Sequence, residues 1–310
     1  MIRLLVCLCA LFSAAVLPPG ARASEASLDP VAVALETDRL ADASFLEMLA
    51  REHRMIEIAT RVRRSAVELC EGRLAPILGL QVTNVFAQPR AYINPAIRRF
   101  GASDDERVVW VVPGSAAERA GLESGDSIRT VDGFQIRTEA DLNNRRAASG
   151  ATSLRFAIER AGSPRTIDVP YEPGCYVQPV MKVSTTNNAG VAWRSFVIYS
   201  ELIRAATSDD EIAAVIGHEL AHKILGHSES APNAEAEADY FGLYLSARAG
   251  YSPEKGAEFW RRRSRTQPWS VIDSPTHPSA TQRFLAAQRA TKEIAAKRAA
   301  GQPLRPEPAQ

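Results

Sequence analysis

The sequence predicts an α+β protein in which a β-rich unit interrupts a mainly helical one. Three observations carry this. Apolar residues recur at helical spacing over 29–71. Between 74 and 172, short β-branched runs alternate with glycine-containing turns. After 175, one strand-like run leads into helical stretches with caps and stops. At 310 residues, 45% of them apolar and 24% charged, the chain is long enough for two globular domains.

In the first 27 residues, Arg3 precedes an apolar run over 4–17 that is too short to span a bilayer comfortably. Pro18, Pro19 and Gly20 break the run, and Ala21-Arg22-Ala23 is a small-x-small cleavage pattern. We expect residues 1–23 to be a signal peptide cleaved after Ala23, and the protein to be periplasmic or secreted, with no transmembrane segment in the mature chain. Loss of Arg3 and Arg22 lowers the formal charge by two, from +1 to −1. No global field then favours nucleic acid, and no basic block is interleaved with aromatics. Removal of Cys7 and Cys9 leaves Cys70 and Cys175. In an oxidising compartment this pair can close a bridge, against the alternative of two buried thiols. Its loop of about 100 residues gives a bridge worth roughly 4–5 kcal/mol in the chain-entropy model.

Residues 24–73 read as an N-terminal helical segment packing on the last domain, stopped near Gly72. His53, among Arg51, Glu52 and Arg54, reads as solvated. In 74–172, LGLQV and RVVWVV read as strands, and PGSAAERAGLESGD as a turn, a short helix and a second turn. Asp132-Gly133 and Ala161-Gly162 mark hairpins, and 139–148 reads as a helix. In 173–290, FVIYS reads as a strand followed by a short helix. Ser208 and Glu211 frame a capping box that starts the next helix. Further helices cover about 234–249 and 253–266, and 291–310, rich in Ala, Lys, Arg and Pro, reads as a flexible tail.

The middle unit resembles a PDZ domain of the bacterial protease type, on Leu78-Gly79-Leu80, the string VVPGSAAERAGLESGD and the Asp132-Gly133 hairpin. The resemblance implies that backbone N–H groups of Leu78, Gly79 and Leu80 receive a peptide's C-terminal carboxylate, and that the following strand accepts the peptide as an added strand. Ile77 stands where the family's usual first glycine would be. A module that only packs against its neighbour is the open alternative.

Three of the five histidines fall in GHELAHKILGH. His218 and His222 are four apart, so a helix projects both imidazoles from one face, as two ligands of a tetrahedral Zn²⁺ require. Glu219 lies beside them as a general base for water. His227 falls out of register with a late third histidine ligand and reads as a helix-end residue. In NAEAEADYFGLYL, Glu235 and Asp239 share a helix face, while Glu237 points about 200° away from Glu235. Glu235 can then reach the metal and Asp239 can support a ligand imidazole.

HELAH followed by Glu235-Ala-Glu-Ala-Asp239 resembles the HExxH plus ExxxD signature of peptidase family M48, which includes CAAX prenyl proteases and HtpX-like and Oma-type zinc metallopeptidases. Ser274, Pro275, Thr276, His277 and Pro278, with Arg283, resemble the family's THPS…R segment. The resemblance spans about 176–290. It implies a mainly helical gluzincin-type domain with a small sheet, one Zn²⁺ held by His218, His222 and Glu235, Glu219 as base, and Asp239 and Arg283 behind the ligands. It also implies that His277 stands at the active site, either stabilising the transition-state oxyanion or sitting on the metal and keeping the enzyme latent. The implied activity is hydrolysis of peptide bonds in exported proteins, in quality control, with peptides as partners of the PDZ module. The rivals are a non-catalytic PDZ adaptor or chaperone on a peptidase scaffold and a zinc hydrolase of peptidoglycan peptides.

Overall fold

The structure is a computed structural model that describes residues 28–137, 141–142, 152–192, 195–228, 233–272 and 278–307. The expected signal peptide, most of the expected helix over 139–148, and His277 lie outside the described residues. By contacts the chain divides into two compact units, Met1–Arg39 and Leu40–Gln310. In the first, residues 28–39 are exposed.

The helical periodicity of 29–71 forms α1 (Pro30–Ser65). Its second half buries Met55, Ile58, Ala59 and Val62 in the same core as Phe196, Ile212 and Leu220 of the last domain. Further up, Phe45 and Leu49 pack on Ala96 and Ala102, where the chain forms α2 (Ile93–Phe100).

A short antiparallel pair, β1 (Leu74–Ile77) and β8 (Glu172–Cys175), brackets the middle unit, with Leu74 opposite Cys175 and Ile77 opposite Glu172. Cys70 and Cys175 form a disulfide at this neck, across a sequence separation of 105, and both are fully buried. Between them lie β2 (Leu80–Thr83), β3 (Arg107–Val111), α3 (Ala116–Ala120), β4 (Ser127–Val131), β5 (Phe134–Gln135), β6 (Ser153–Arg160) and β7 (Ser163–Pro170). The six-stranded sheet has the order β2-β3-β4-β6-β7, with β5 paired to β4. Asp132 and Gly133 have φ of 51° and 79°, and Ala161 and Gly162 have 50° and 76°. Positive φ at both central positions matches the twist of a two-residue hairpin, so both hairpins close where the sequence places them.

The last domain adds β9 (Gln178–Lys182), β10 (Ala189–Ala192) and β11 (Ser195–Tyr199) in the order β10-β11-β9. β10 runs antiparallel to β11, and β9 runs parallel to it. Five helices follow: α4 (Ser200–Ala205), α5 (Asp209–Leu225), α6 (Ala234–Arg248), α7 (Pro253–Thr266) and α8 (Ala280–Ala299). Ser208 caps α5 by accepting from Glu211 N, but the Glu211 carboxylate accepts from Thr207 N and pairs with Arg262. The capping-box expectation is thus half met.

The expected flexible tail from 291 does not match the structure. A capping box of Ser279 and Gln282 starts α8, which continues to Ala299 with Ile294 fully buried beside Tyr244. The chain then folds back, and Glu307 N donates to Tyr240 Oη at 3.0 Å. Composition misleads here because small alanines pack closely between helices as readily as they fray. No helix among the described residues is long and apolar enough to cross a membrane.

Candidate metal centre

Helices α5 and α6 build the centre by crossing almost backbone to backbone. A Cβ added at Gly217 would lie 2.3 Å from Gly242 O, and one added at Gly242 would lie 2.5 Å from His218 N. Only glycine on both sides permits this approach. It brings His218, one residue after Gly217, against the first two turns of α6, which carry Glu235 and Asp239.

His218 Nε2 and His222 Nε2 face each other at 3.1 Å. Glu235 places Oε2 at 3.5 Å from the first and Oε1 at 3.3 Å from the second. These three residues form a group whose ligand atoms can hold one ion. Tetrahedral zinc with bonds of 2.0–2.1 Å separates its ligand atoms by roughly 3.3–3.4 Å, so the spacing fits. The chemistry fits too. His218 Nδ1 lies 2.9 Å from the Asp239 carboxylate, an acceptor only, so the ring hydrogen belongs on Nδ1 and the Nε2 lone pair faces inward. A second imidazole nitrogen and a carboxylate converge on the same point. Such a cluster of electron-pair donors is self-repelling unless a cation or protons sit among them.

Behind the ligands, Arg283 donates to both Asp239 oxygens at 2.6 Å and lies 3.5 Å above the Trp260 ring. Its Nη1 is 3.6 Å from Glu235 Oε2. Burial penalises ionised Asp239, but Arg283 and His218 outweigh it and hold the carboxyl at about 2. Burial likewise opposes charge on His218, yet the Asp239 hydrogen bond prevails and its pKa rises. Burial pushes the Glu219 carboxyl up, aided by Glu235 and opposed by His218 and His222. A raised carboxyl beside electron-pair donors is suited to taking and returning a proton.

The site opens into a cleft of about 410 Å³. Asn188, just before β10, forms one wall with Gly190 and Val191 of that strand, and Phe259, Trp260 and Arg263 of α7 form another. Glu219, His218 and His222 lie on its floor with Glu235 and Arg283.

The structure therefore brings together His218, Glu219, His222, Glu235, Asp239 and Arg283. His227 stands outside the ligand group, past the helix end. Gly226 adopts the left-handed conformation (φ 69°), and His227 N donates back to His222 O at 3.0 Å. That fold-back seats the His227 ring against His222, with the two Nδ1 atoms 3.0 Å apart, and His227 Nε2 meets Glu237 Oε2 at 3.0 Å. Sequence reasoning placed neither His227 nor Glu237 at the site. The available signal was glycine followed directly by histidine at the C-terminus of the metal helix. Trp260, under Arg283, carried no sequence signal.

In the middle unit, Leu78 and Leu80 are buried, and Gly79 has φ 75°. A Cβ on Gly79 would lie 2.2 Å from Ser115 Cβ, so glycine is required. Gly79 O accepts from Val112 N and Ser115 Oγ, and Leu78 O accepts from Ala117 N, which clamps the loop to the start of α3. The loop and the edge strand β2 border a cavity of about 340 Å³, walled opposite by Phe45, Met48 and Leu49 of α1 and by β9.

Comparisons with known proteins match both parts of the chain, with two family ranges that overlap at 151–160. Residues 151–233 match Peptidase family M48, a range that includes His218, Glu219 and His222 and ends before Glu235. Residues 107–160 match a PDZ domain. Among solved structures, the HtrA3 PDZ domain bound to a phage-derived ligand (FGRWV) is 19% identical. The match covers 32% of this chain and 88% of that one, with a TM-score of 0.26. The HtrA-type protease AlgW with decapeptide is 20% identical over 33% of this chain and 29% of that one, also with a TM-score of 0.26. The resemblance read from the sequence is thus met in both parts: the chain carries a segment that matches Peptidase family M48 and a segment that matches a PDZ domain.

Proposed function

We propose that this chain is a zinc-dependent endopeptidase acting on exported or periplasmic proteins, in quality control, with its PDZ unit holding an exposed chain end of substrate or partner. One observation carries the reading: two imidazole nitrogens and a carboxylate converge at 3.1–3.5 Å, with Glu219 alongside. Zinc, held by His218, His222 and Glu235, would supply Lewis-acid polarisation of the scissile carbonyl. Glu219 takes a proton from the attacking water and passes it to the leaving amine. Its burial favours this, because the protonated form is not penalised there. Arg283 and Asp239 hold His218 in the required tautomer.

The β10 edge supports a peptide substrate. β10 pairs only with β11 among the described residues, and its residues line the cleft beside Glu219. An extended chain pairing with that edge would pass its carbonyls over the site. The compartment rests on the N-terminal pattern of residues 1–23 and agrees with the buried disulfide.

Casein digestion by the wild type and by Glu219→Gln, with metal content measured on both, tests the proposal. We expect the Glu219→Gln protein to keep zinc and to lose roughly 10²–10⁴ in rate. A wild type that retains zinc but digests nothing would replace this reading with the adaptor. Glu235→Ala should lose most of its metal; full retention would remove Glu235 from the ligand set. For His277→Ala, a loss of rate supports an oxyanion role and a gain supports latency.

A further inference from the structure

His218 is backed directly by a carboxylate on α6, and His222 is backed differently. We infer that His227 and Glu237 form a two-residue relay that fixes the tautomer and ring plane of His222, making both of them positioning residues for the metal ligand. The inference rests on the zinc site proposed above.

The reasoning starts from α6. Glu235, Glu237 and Asp239 alternate along its first turns. Two residues along a helix is about 200° of rotation, so Glu237 cannot face the point that Glu235 faces. The His227 ring spans that gap. Glu237 Oε2 accepts only, so at 3.0 Å it takes the hydrogen of His227 Nε2. With that ring neutral, His227 Nδ1 is left with a lone pair. At 3.0 Å it accepts from His222 Nδ1, which leaves His222 Nε2 with its lone pair turned toward His218 and Glu235. With His222 Nε2 given to a metal, only this arrangement leaves each hydrogen bond in the chain with one donor and one acceptor. The His227 ring stands at 75° to His222, and its side chain is 8% exposed, so packing holds it in place. One helix therefore supplies a ligand and the terminal acceptor behind each imidazole.

Zinc affinity by chelator competition on the full mature chain, with melting of the metal-free protein in excess chelator, tests this. His227→Ala should weaken zinc binding roughly 10–100-fold, as loss of an outer partner does, while metal-free melting stays at the wild-type value. Glu237→Ala should weaken it less, and the double variant should be no weaker than His227→Ala alone. His227→Asn, whose amide oxygen can accept from His222 Nδ1, should recover part of the loss. X-ray absorption of the wild-type zinc protein should count two imidazoles. Zinc affinity of His227→Ala within about twofold of wild type, additive losses in the double variant, or a fall in metal-free melting with affinity unchanged would overturn the relay. Three imidazoles would overturn it by making His227 a ligand. A wild type that binds no zinc, or that binds it equally well as Glu235→Ala, would overturn the metal centre and the relay with it.

Discussion

His53 illustrates how far a single residue's surroundings can depart from its sequence neighbours. Flanked by charges, it reads as solvated. In the structure it stacks on Trp110 of β3, with ring centroids 4.2 Å apart and planes at 11°. Burial, partly countered by Gln81, lowers its pKa from 6.5 to about 4. A depressed folded pKa means that the unfolded chain binds more protons between those values. The contribution of His53 is therefore complete above about pH 6.5 and is lost as pH falls through about 4. Denaturation midpoints measured across that window should fall with acidification, and His53→Phe, which keeps the stack and cannot charge, should flatten the slope. An equal slope in both proteins would assign it to other groups. Asp239 gives a second prediction at this scale. Replacing it with Asn leaves the Arg283 cation, only 9% exposed, with a neutral acceptor and the longer 3.6 Å pair to Glu235. We expect a loss of about 1–3 kcal/mol in urea unfolding, and a loss near zero would mean that Glu235 takes over the pairing.

Among elements, the crossing of α5 and α6 decides the site. The HExxH spacing puts two imidazoles on one face of α5, but Glu235 reaches them only because Gly217 and Gly242 let the backbones touch. Gly217→Ala must push the helices apart, at about 1–3 kcal/mol or more for a contact with backbone. We expect a lower melting temperature together with reduced zinc content. Gly190→Ala on β10, where an added Cβ meets nothing within 4 Å, should leave melting unchanged and serves as the control. The short elements were the least legible. β9 contains Pro179, β8 contains Pro173 and Gly174, and β10 is only four residues long. None carries a clear alternation; β8 and β9 owe their strand conformation to partners that are not the next strand in the chain, β1 and β11, and β10 owes its own to the next strand, β11. By contrast, the hairpins at Asp132-Gly133 and Ala161-Gly162 were legible because their turns select the local backbone by themselves.

At the scale of the molecule, the neck of β1, β8 and the Cys70–Cys175 bridge joins the two parts. Replacing both cysteines by serine should cost about 4–5 kcal/mol in the chain-entropy model, read as a shift in the denaturation midpoint that reductant reproduces in the wild type. Because Ile77 and Glu172 face each other in the ladder, residues 78–171 can be replaced by a two-residue turn that closes β1 and β8 into a hairpin. With zinc binding as the check on folding, that deletion should raise KM for substrates with free C-terminal tails more than for short peptides. Equal KM changes would count against a tethering role for the PDZ unit.

Helices α1, α5, α6 and α7, the glycine-turn hairpins and the residue types of the candidate metal centre were legible in the sequence, because they depend on local spacing, turn chemistry and caps. What joins them required the tertiary structure: the glycine-to-glycine helix contact, the stacking of His53, the docked C-terminal helix, and the turn of His227 onto His222. These depend on which distant surfaces meet, and a linear pattern carries no direct record of that.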